Sequence, residues 1–251
     1  MNNNILAFII STIAGLSTLI GTILVFIIKN KGNNLLISSL SFASGVMATL
    51  SITDLIPEGI RYISNNFYII PSILICLIFI SLGIIISSII DKILPNKPNI
   101  NNNNLYKVGL ISMLAIIIHN IPEGIATFIT TTDNIKLGIT IAISIALHNV
   151  PEGISIAIPI YYSTNNKRKA FLYTLISGLS EPLGALIAYL FLAPIITKLF
   201  LGVIFSLIAG IMLHISLSEL LPTALSYKKK KLSYIFFVLG IIFVLINHFI
   251  F

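Results

Sequence analysis

The stretch HNIPEGIA, His119 to Ala126, returns 29 residues later as HNVPEGISIA, His148 to Ala157. Each copy sets an imidazole, an amide, a proline and a carboxylate inside a long apolar run. How such groups can be tolerated there is the question from which the architecture follows.

The surroundings of the two motifs define the solvent. The chain is 57% hydrophobic and only 9% charged, with a mean hydropathy of +1.04, whereas a soluble domain carries about 25% charged residues. Eight apolar runs, near 5–28, 35–57, 67–90, 107–131, 136–160, 169–192, 200–223 and 232–251, each approach the ~20 residues that span a hydrocarbon core as a helix. The expectation is an all-α polytopic membrane protein with one transmembrane domain over residues 1–251. The first run is read as a retained helix, because MNNNILAF lacks the basic start of a signal peptide.

The net charge of +7 is a topology signal. Twelve of the fifteen Lys and Arg fall between runs 1 and 2 (Lys29, Lys31), 3 and 4 (Lys92, Lys97, Lys107), 5 and 6 (Lys167, Arg168, Lys169) and 7 and 8 (Lys228 to Lys231). Arg61, Lys136 and Lys198 are the only ones in the even-numbered connections. The positive-inside rule puts the odd-numbered connections in the cytoplasm and both termini outside. Topology therefore accounts for the basic excess, with contact to the lipid surface as an addition, and no nucleic-acid partner is expected. Cys76 stands alone and reads as a small core hydrophobe, without disulfide or thiolate cluster. The segment 91–106 is a low-complexity loop without histidine. No GxxxxGK[ST] pattern occurs, which argues against nucleotide hydrolysis.

The carboxylates are placed where they are costly. Asp91 and Asp133 are expected in loops, but Asp54, Glu58, Glu123, Glu152, Glu181 and Glu219 lie inside or at the ends of apolar runs. At a helix centre each costs ~2.5–3.5 kcal/mol, and no Lys or Arg lies mid-run to compensate. Such carboxylates can hydrogen-bond between helices or protonate; a bound cation is the other compensation, and the neighbouring histidines indicate a transition metal. His119 and Glu123, like His148 and Glu152, stand four apart on one helical face, about 5–6 Å between Cβ atoms, as a bidentate chelate. Pro122 and Pro151 are expected to kink or open their helices and to free the carbonyls of Ile118 and Leu147. Gly124 and Gly153 would permit close helix approach. Counting about 1.5 Å per residue puts both histidines within a few ångströms of the midplane.

His119, Glu123, His148 and Glu152 make a two-imidazole, two-carboxylate set suited to tetrahedral Zn²⁺. Asn120 and Asn149, with shared Glu123 and Glu152 and with Glu181 of SGLSEPLGA, would build a second, oxygen-richer site tolerant of Fe²⁺ or Mn²⁺. Glu181 precedes Pro182, as at another broken helix.

The doubled HNxPEG motif resembles the ZIP (Zrt/Irt-like) family of divalent-metal transporters, and the compact length without a histidine-rich loop is similar to its bacterial zinc-uptake branch. SFASGVMATLSITDLIPEG, SEPLGA and HISLSELLP extend the resemblance across all eight runs. It implies a 3+2+3 helix arrangement with inverted-repeat character. It also implies uptake of Zn²⁺, and often Fe²⁺ or Mn²⁺, into the cytoplasm across the bacterial cell membrane, through a binuclear centre, with no catalytic cofactor. Dimerisation is a family-level expectation. By motif position His119, Glu123, His148 and Glu152 correspond to one metal site, and Asn120, Glu123, Asn149, Glu152 and Glu181 to the other.

Met47 is a candidate soft ligand, though a methionine on an apolar helix is usually core filler. Asp54 and Glu58 near the outer end of the second run would concentrate cations at an entrance, and His214 and Glu219 would relay them at an exit. Two other classes fit the residues less well. An intramembrane metalloenzyme needs a base and an open ligand position, and HExxH is absent. A non-transporting metal-binding protein has no need of acidic residues near both faces. His248 has no carboxylate neighbour and reads as structural or interfacial.

Overall fold

A chain segment in hydrocarbon must satisfy its own backbone groups, so uninterrupted apolar runs become helices. The computed structural model describes residues 3–27, 32–93, 103–192 and 197–250. Among them eight helices are long and apolar enough to cross a membrane: α1 Asn3–Ile27, α2 Asn33–Ile63, α3 Ile69–Lys92, α4 Leu105–Asp133, α5 Ile135–Thr164, α6 Lys167–Leu190, α7 Lys198–Ser226 and α8 Lys230–Asn247. Each covers one of the eight expected runs. Lys29, Lys31 and residues 94–102 of the 91–106 segment, including Lys97, lie outside the described residues, as does the side chain of His248. Asp91, expected in a loop, instead occupies the last turn of α3, and Asp133 closes α4.

Turn chemistry sets the neighbours. Asn134 alone separates α4 from α5, and its side chain accepts from Leu137 N at 3.1 Å as an N-cap. Such a short connection forces the two motif-bearing helices to lie antiparallel and adjacent. Asn165 takes a left-handed φ of 52 and Asn166 caps α6 through Lys169 N at 3.0 Å.

Packing sorts the helices into two groups of four. α1, α4, α5 and α6 pack on one another, as do α2, α3, α7 and α8, and the groups meet mainly along α2 with α5 and α7 with α4. Glycine explains the tightness within each group, since backbones approach closely only where no Cβ intervenes. In the first group Gly124 sits on the Glu181 carbonyl, Gly153 on that of Thr18, Gly184 on that of Ile121, and Gly15 against Gly178. In the second, Gly45 sits on Phe237, Gly240 on Phe42, Gly83 on Leu207 and Gly210 on Ile80. None of the described glycine contacts joins the two groups. This spatial partition cuts across the 3+2+3 division along the chain.

Four irregularities form two pairs, beside a further π-helical turn at Ala188–Leu192. α1 breaks at Ser17 and α6 at Leu179; α2 carries a π-helical turn at Ser51–Leu55 before Pro57, and α7 one at Ile215–Leu220 before Pro222. The wider turn accommodates a ring that would otherwise clash with the carbonyl four residues back. α4 and α5, by contrast, run through Pro122 and Pro151 as continuous α-helix, so the expected opening at those prolines is not found. The break expected near Pro182 is present, at Leu179, three residues before the ring.

Candidate metal centre

The two HNxPEG motifs meet in the centre of the first helix group. The His119 and His148 ring centroids are 6.4 Å apart. Glu123 stands between them: its Oε1 lies 3.0 Å from His119 Nε2 and 2.9 Å from His148 Nε2. Glu152 Oε1 approaches His119 Nε2 at 3.7 Å. Ligand atoms of His119, Glu123 and His148 all fall within 4.8 Å of one another, and the ligands of a tetrahedral zinc site are separated by about 3.3 Å. All four side chains are buried. Both Glu152 oxygens, Glu123 Oε2 and the Nδ1 atoms of both histidines are buried without a hydrogen-bond partner, an expensive condition for a polar atom unless something binds it.

The amides form the adjoining half. Asn149 Nδ2 donates to Glu181 Oε2 at 3.0 Å and to the Ala14 carbonyl at 2.9 Å. Asn120 Nδ2 donates to the Ser177 carbonyl at 3.2 Å. With their NH₂ groups held by backbone, Asn120 Oδ1 and Asn149 Oδ1 are left as buried oxygens without a hydrogen-bond partner, as is Glu181 Oε1. That is an oxygen-rich donor set of the type suited to harder divalent cations. The close approach of Gly124 and Gly153 to α6 and α1 brings these amides and Glu181 within reach.

The anchoring carbonyls of Ala14 and Ser177 are absent from any reading based on side chains, yet the sequence holds a trace of them. They precede GLSTLIG, Gly15 to Gly21, and GLSEPLG, Gly178 to Gly184, the two segments where α1 and α6 break. A break frees the preceding carbonyls to accept from side chains, and each asparagine takes one. Thr18 occupies in α1 the place that Glu181 occupies in α6, which makes the oxygen-rich half of the centre one-sided.

The remaining candidates lie in the second helix group. A cavity of about 1200 Å³ runs from Asp54, Glu58, Arg61 and Asp133 at one end of the molecule down to Glu123 and His148. Glu58 is paired with Arg61 at 2.7 Å in an exposed i,i+3 bridge. Met47 is fully buried in the main hydrophobic core. His214 and Glu219 are near the opposite end, where Glu219 lies beside Asp91, and Asp91 pairs with Lys107 of α4 at 2.6 Å. Asp91 is thus a neighbour of Glu219, a proximity that its place at the end of an apolar run does not reveal.

Comparison with known proteins adds an independent line. Residues 100–248 match the family model described as ZIP Zinc transporter. The chain is 40% identical over 238 residues to the Zinc transporter ZupT of Streptococcus mutans, covering 90% of each. It is 37% identical over 269 residues to the Zinc transporter ZupT of Clostridium perfringens, covering 96% of this chain and 94% of that one. It is 40% identical over 258 residues to the Zinc transporter ZupT of Campylobacter jejuni, covering 89% of each. With eight apolar helices, a buried imidazole and carboxylate cluster between α4 and α5, and these matches over nine-tenths of its length, the chain belongs to the ZIP zinc transporter family.

Proposed function

We propose that this protein takes Zn²⁺ into the cytoplasm by alternating access, with His119, Glu123, His148 and Glu152 as the central zinc ligands. The observation that carries the reading is Glu123, held between two imidazoles at the foot of a cavity that opens at one end of the molecule. Two carboxylates offset the charge of one divalent cation, and two neutral imidazoles complete a set of four without adding charge. Asn120, Asn149 and Glu181, sharing Glu123 and Glu152, form the second position, which admits Fe²⁺ and Mn²⁺ as further substrates.

The cavity end lined by Asp54 and Glu58 faces outside, as do both termini, and the end at His214 and Glu219 faces the cytoplasm of a bacterial cell; the distribution of Lys and Arg supports that orientation. All seven central side chains belong to α4, α5 and α6, within one glycine-packed group, and the glycine contacts stay inside each group. That division supports a movement of one group against the other as the step that changes the accessible side. Paired breaks in α1 and α6, and paired π turns in α2 and α7, support inverted repeats in a 3+2+3 chain order. The protein functions as a single transmembrane domain and, by family analogy, as a homodimer.

Counterflow of radiolabelled Zn²⁺ in proteoliposomes tests the reading. Saturable exchange that Glu123→Gln abolishes is expected. Zinc binding without counterflow would reduce the protein to a non-transporting metal-binding one.

A further inference from the structure

We propose that the turn joining α7 to α8 is a binding site for the headgroup of an anionic phospholipid, built from Lys228, Lys229, Lys230 and Lys231. The four lysines are exposed and, with Leu232 and Ile235, line a hollow of about 610 Å³. Lys228 has a φ of 62, and this reversal of the backbone sets consecutive side chains around one concavity. All eight Asp and Glu side chains of the chain lie within the described residues, and none of them pairs with these lysines. Where one of the four does meet a polar side chain, the partner is neutral: Lys229 Nζ donates to Asn34 Oδ1 at 2.7 Å.

The apolar half of the occupant is indicated by the outer face of α8. Ile235, which lines the hollow, begins a stripe of Val238, Leu239, Ile242 and Ile246, all exposed and spaced along one face of that helix. A cationic hollow that borders an exposed apolar helix face fits a phosphodiester with acyl chains, and a free anion would use only the cationic part.

The basic cluster at the start of α6 supplies a contrast within the same molecule. Lys167 lies over the Phe26 ring at 5.2 Å, and Lys169 over the Tyr106 and Tyr173 rings at 4.5 and 5.7 Å. Those ammonium groups already have aromatic partners. With two of its three cations held over rings and a smaller hollow of about 350 Å³ whose basic lining is only Lys167 and Arg168, that cluster offers an anionic headgroup fewer free donors than the α7–α8 turn does. Because α8 is packed on α2 through Gly45 and Gly240 and through the 2.6 Å contact of Ser41 with Ser233, the bound headgroup holds the second helix group at the membrane surface.

The test uses the full-length protein in a neutral detergent, titrated with phosphatidylglycerol and followed by native mass spectrometry and thermal unfolding. Each lysine near an anionic surface contributes about fivefold in affinity, so K228Q/K229Q/K230Q/K231Q should bind at least roughly tenfold more weakly than wild type. The all-arginine replacement of the same four, and K167Q/R168Q/K169Q, should bind as wild type does. If the quadruple glutamine variant fails to insert, K228Q/K230Q and K229Q/K231Q decide on the same terms. Undiminished binding by the glutamine variants, equal retention of phosphatidylcholine, or equal stabilisation by inorganic phosphate alone would each overturn the proposal.

Discussion

His148 of α5 places its Nε2 2.9 Å from Oε1 of Glu123 on α4, so that the second motif reaches into the first. The carboxylate is therefore shared between helices, and its loss cannot be confined to one of them. Glu123→Gln and Glu152→Gln should each lower Zn²⁺ flux in reconstituted vesicles by more than tenfold, with normal membrane insertion. Wild-type flux in either variant would remove it from the central set.

Selectivity separates the two halves of the centre. His148→Ala should impair Zn²⁺ transport more than Mn²⁺ transport, because imidazole favours zinc over the harder cation. Asn149→Ala and Glu181→Ala should weigh more on Fe²⁺ and Mn²⁺. Competition of each metal against radiolabelled Zn²⁺ measures this, and parallel losses across all three variants would argue for one undivided site.

Acid should weaken metal binding. Imidazole and carboxylate bind a cation only when deprotonated, so loading releases protons and excess protons oppose it. Calorimetric titration should show lower affinity at pH 5 than at pH 7, with a proton release that differs between buffers of different ionisation enthalpy. Tighter binding at pH 5 would contradict imidazole and carboxylate ligation.

Helix proximity at the centre depends on two hydrogen atoms. A Cβ at Gly124 would strike the Glu181 carbonyl, and one at Gly153 the Thr18 carbonyl. Gly124→Ala and Gly153→Ala should each destabilise the protein by about 1–3 kcal/mol, the usual cost of overpacking, and shift the Asn120 and Asn149 anchors. Thermal unfolding in detergent checks the first effect and metal affinity the second; unchanged values for both variants would mean that α1 and α6 are more loosely packed.

Orientation can be read with thiols. In a Cys76→Ser background, cysteine at position 58 should react with an impermeant reagent from outside only, and cysteine at 219 from inside only, each with protection by Zn²⁺. Labelling of position 219 from outside would reverse the topology and remove its role at the exit.

The amino-acid sequence by itself determined the eight helices, because a run of some twenty apolar residues has no alternative in hydrocarbon to satisfying its backbone as helix. It also determined the pairing of His119 with Glu123 and of His148 with Glu152, since a spacing of four places two side chains on one face. The doubling of the motif at one depth in two consecutive antiparallel runs made their meeting predictable, although the connection proved to be the single residue Asn134. Prolines were less legible. A ring removes one donor, but whether the helix opens depends on how its neighbours pack. α4 and α5 stay continuous through Pro122 and Pro151, while α6 breaks ahead of Pro182 and α2 and α7 widen into π turns. Only the tertiary structure decided that Asn120 and Asn149 are held by the carbonyls of Ser177 and Ala14, that Asp91 lies beside Glu219, and that the helices divide into two glycine-packed groups. Each of these depends on backbone atoms or on contacts between residues far apart in the chain, which no local spacing encodes.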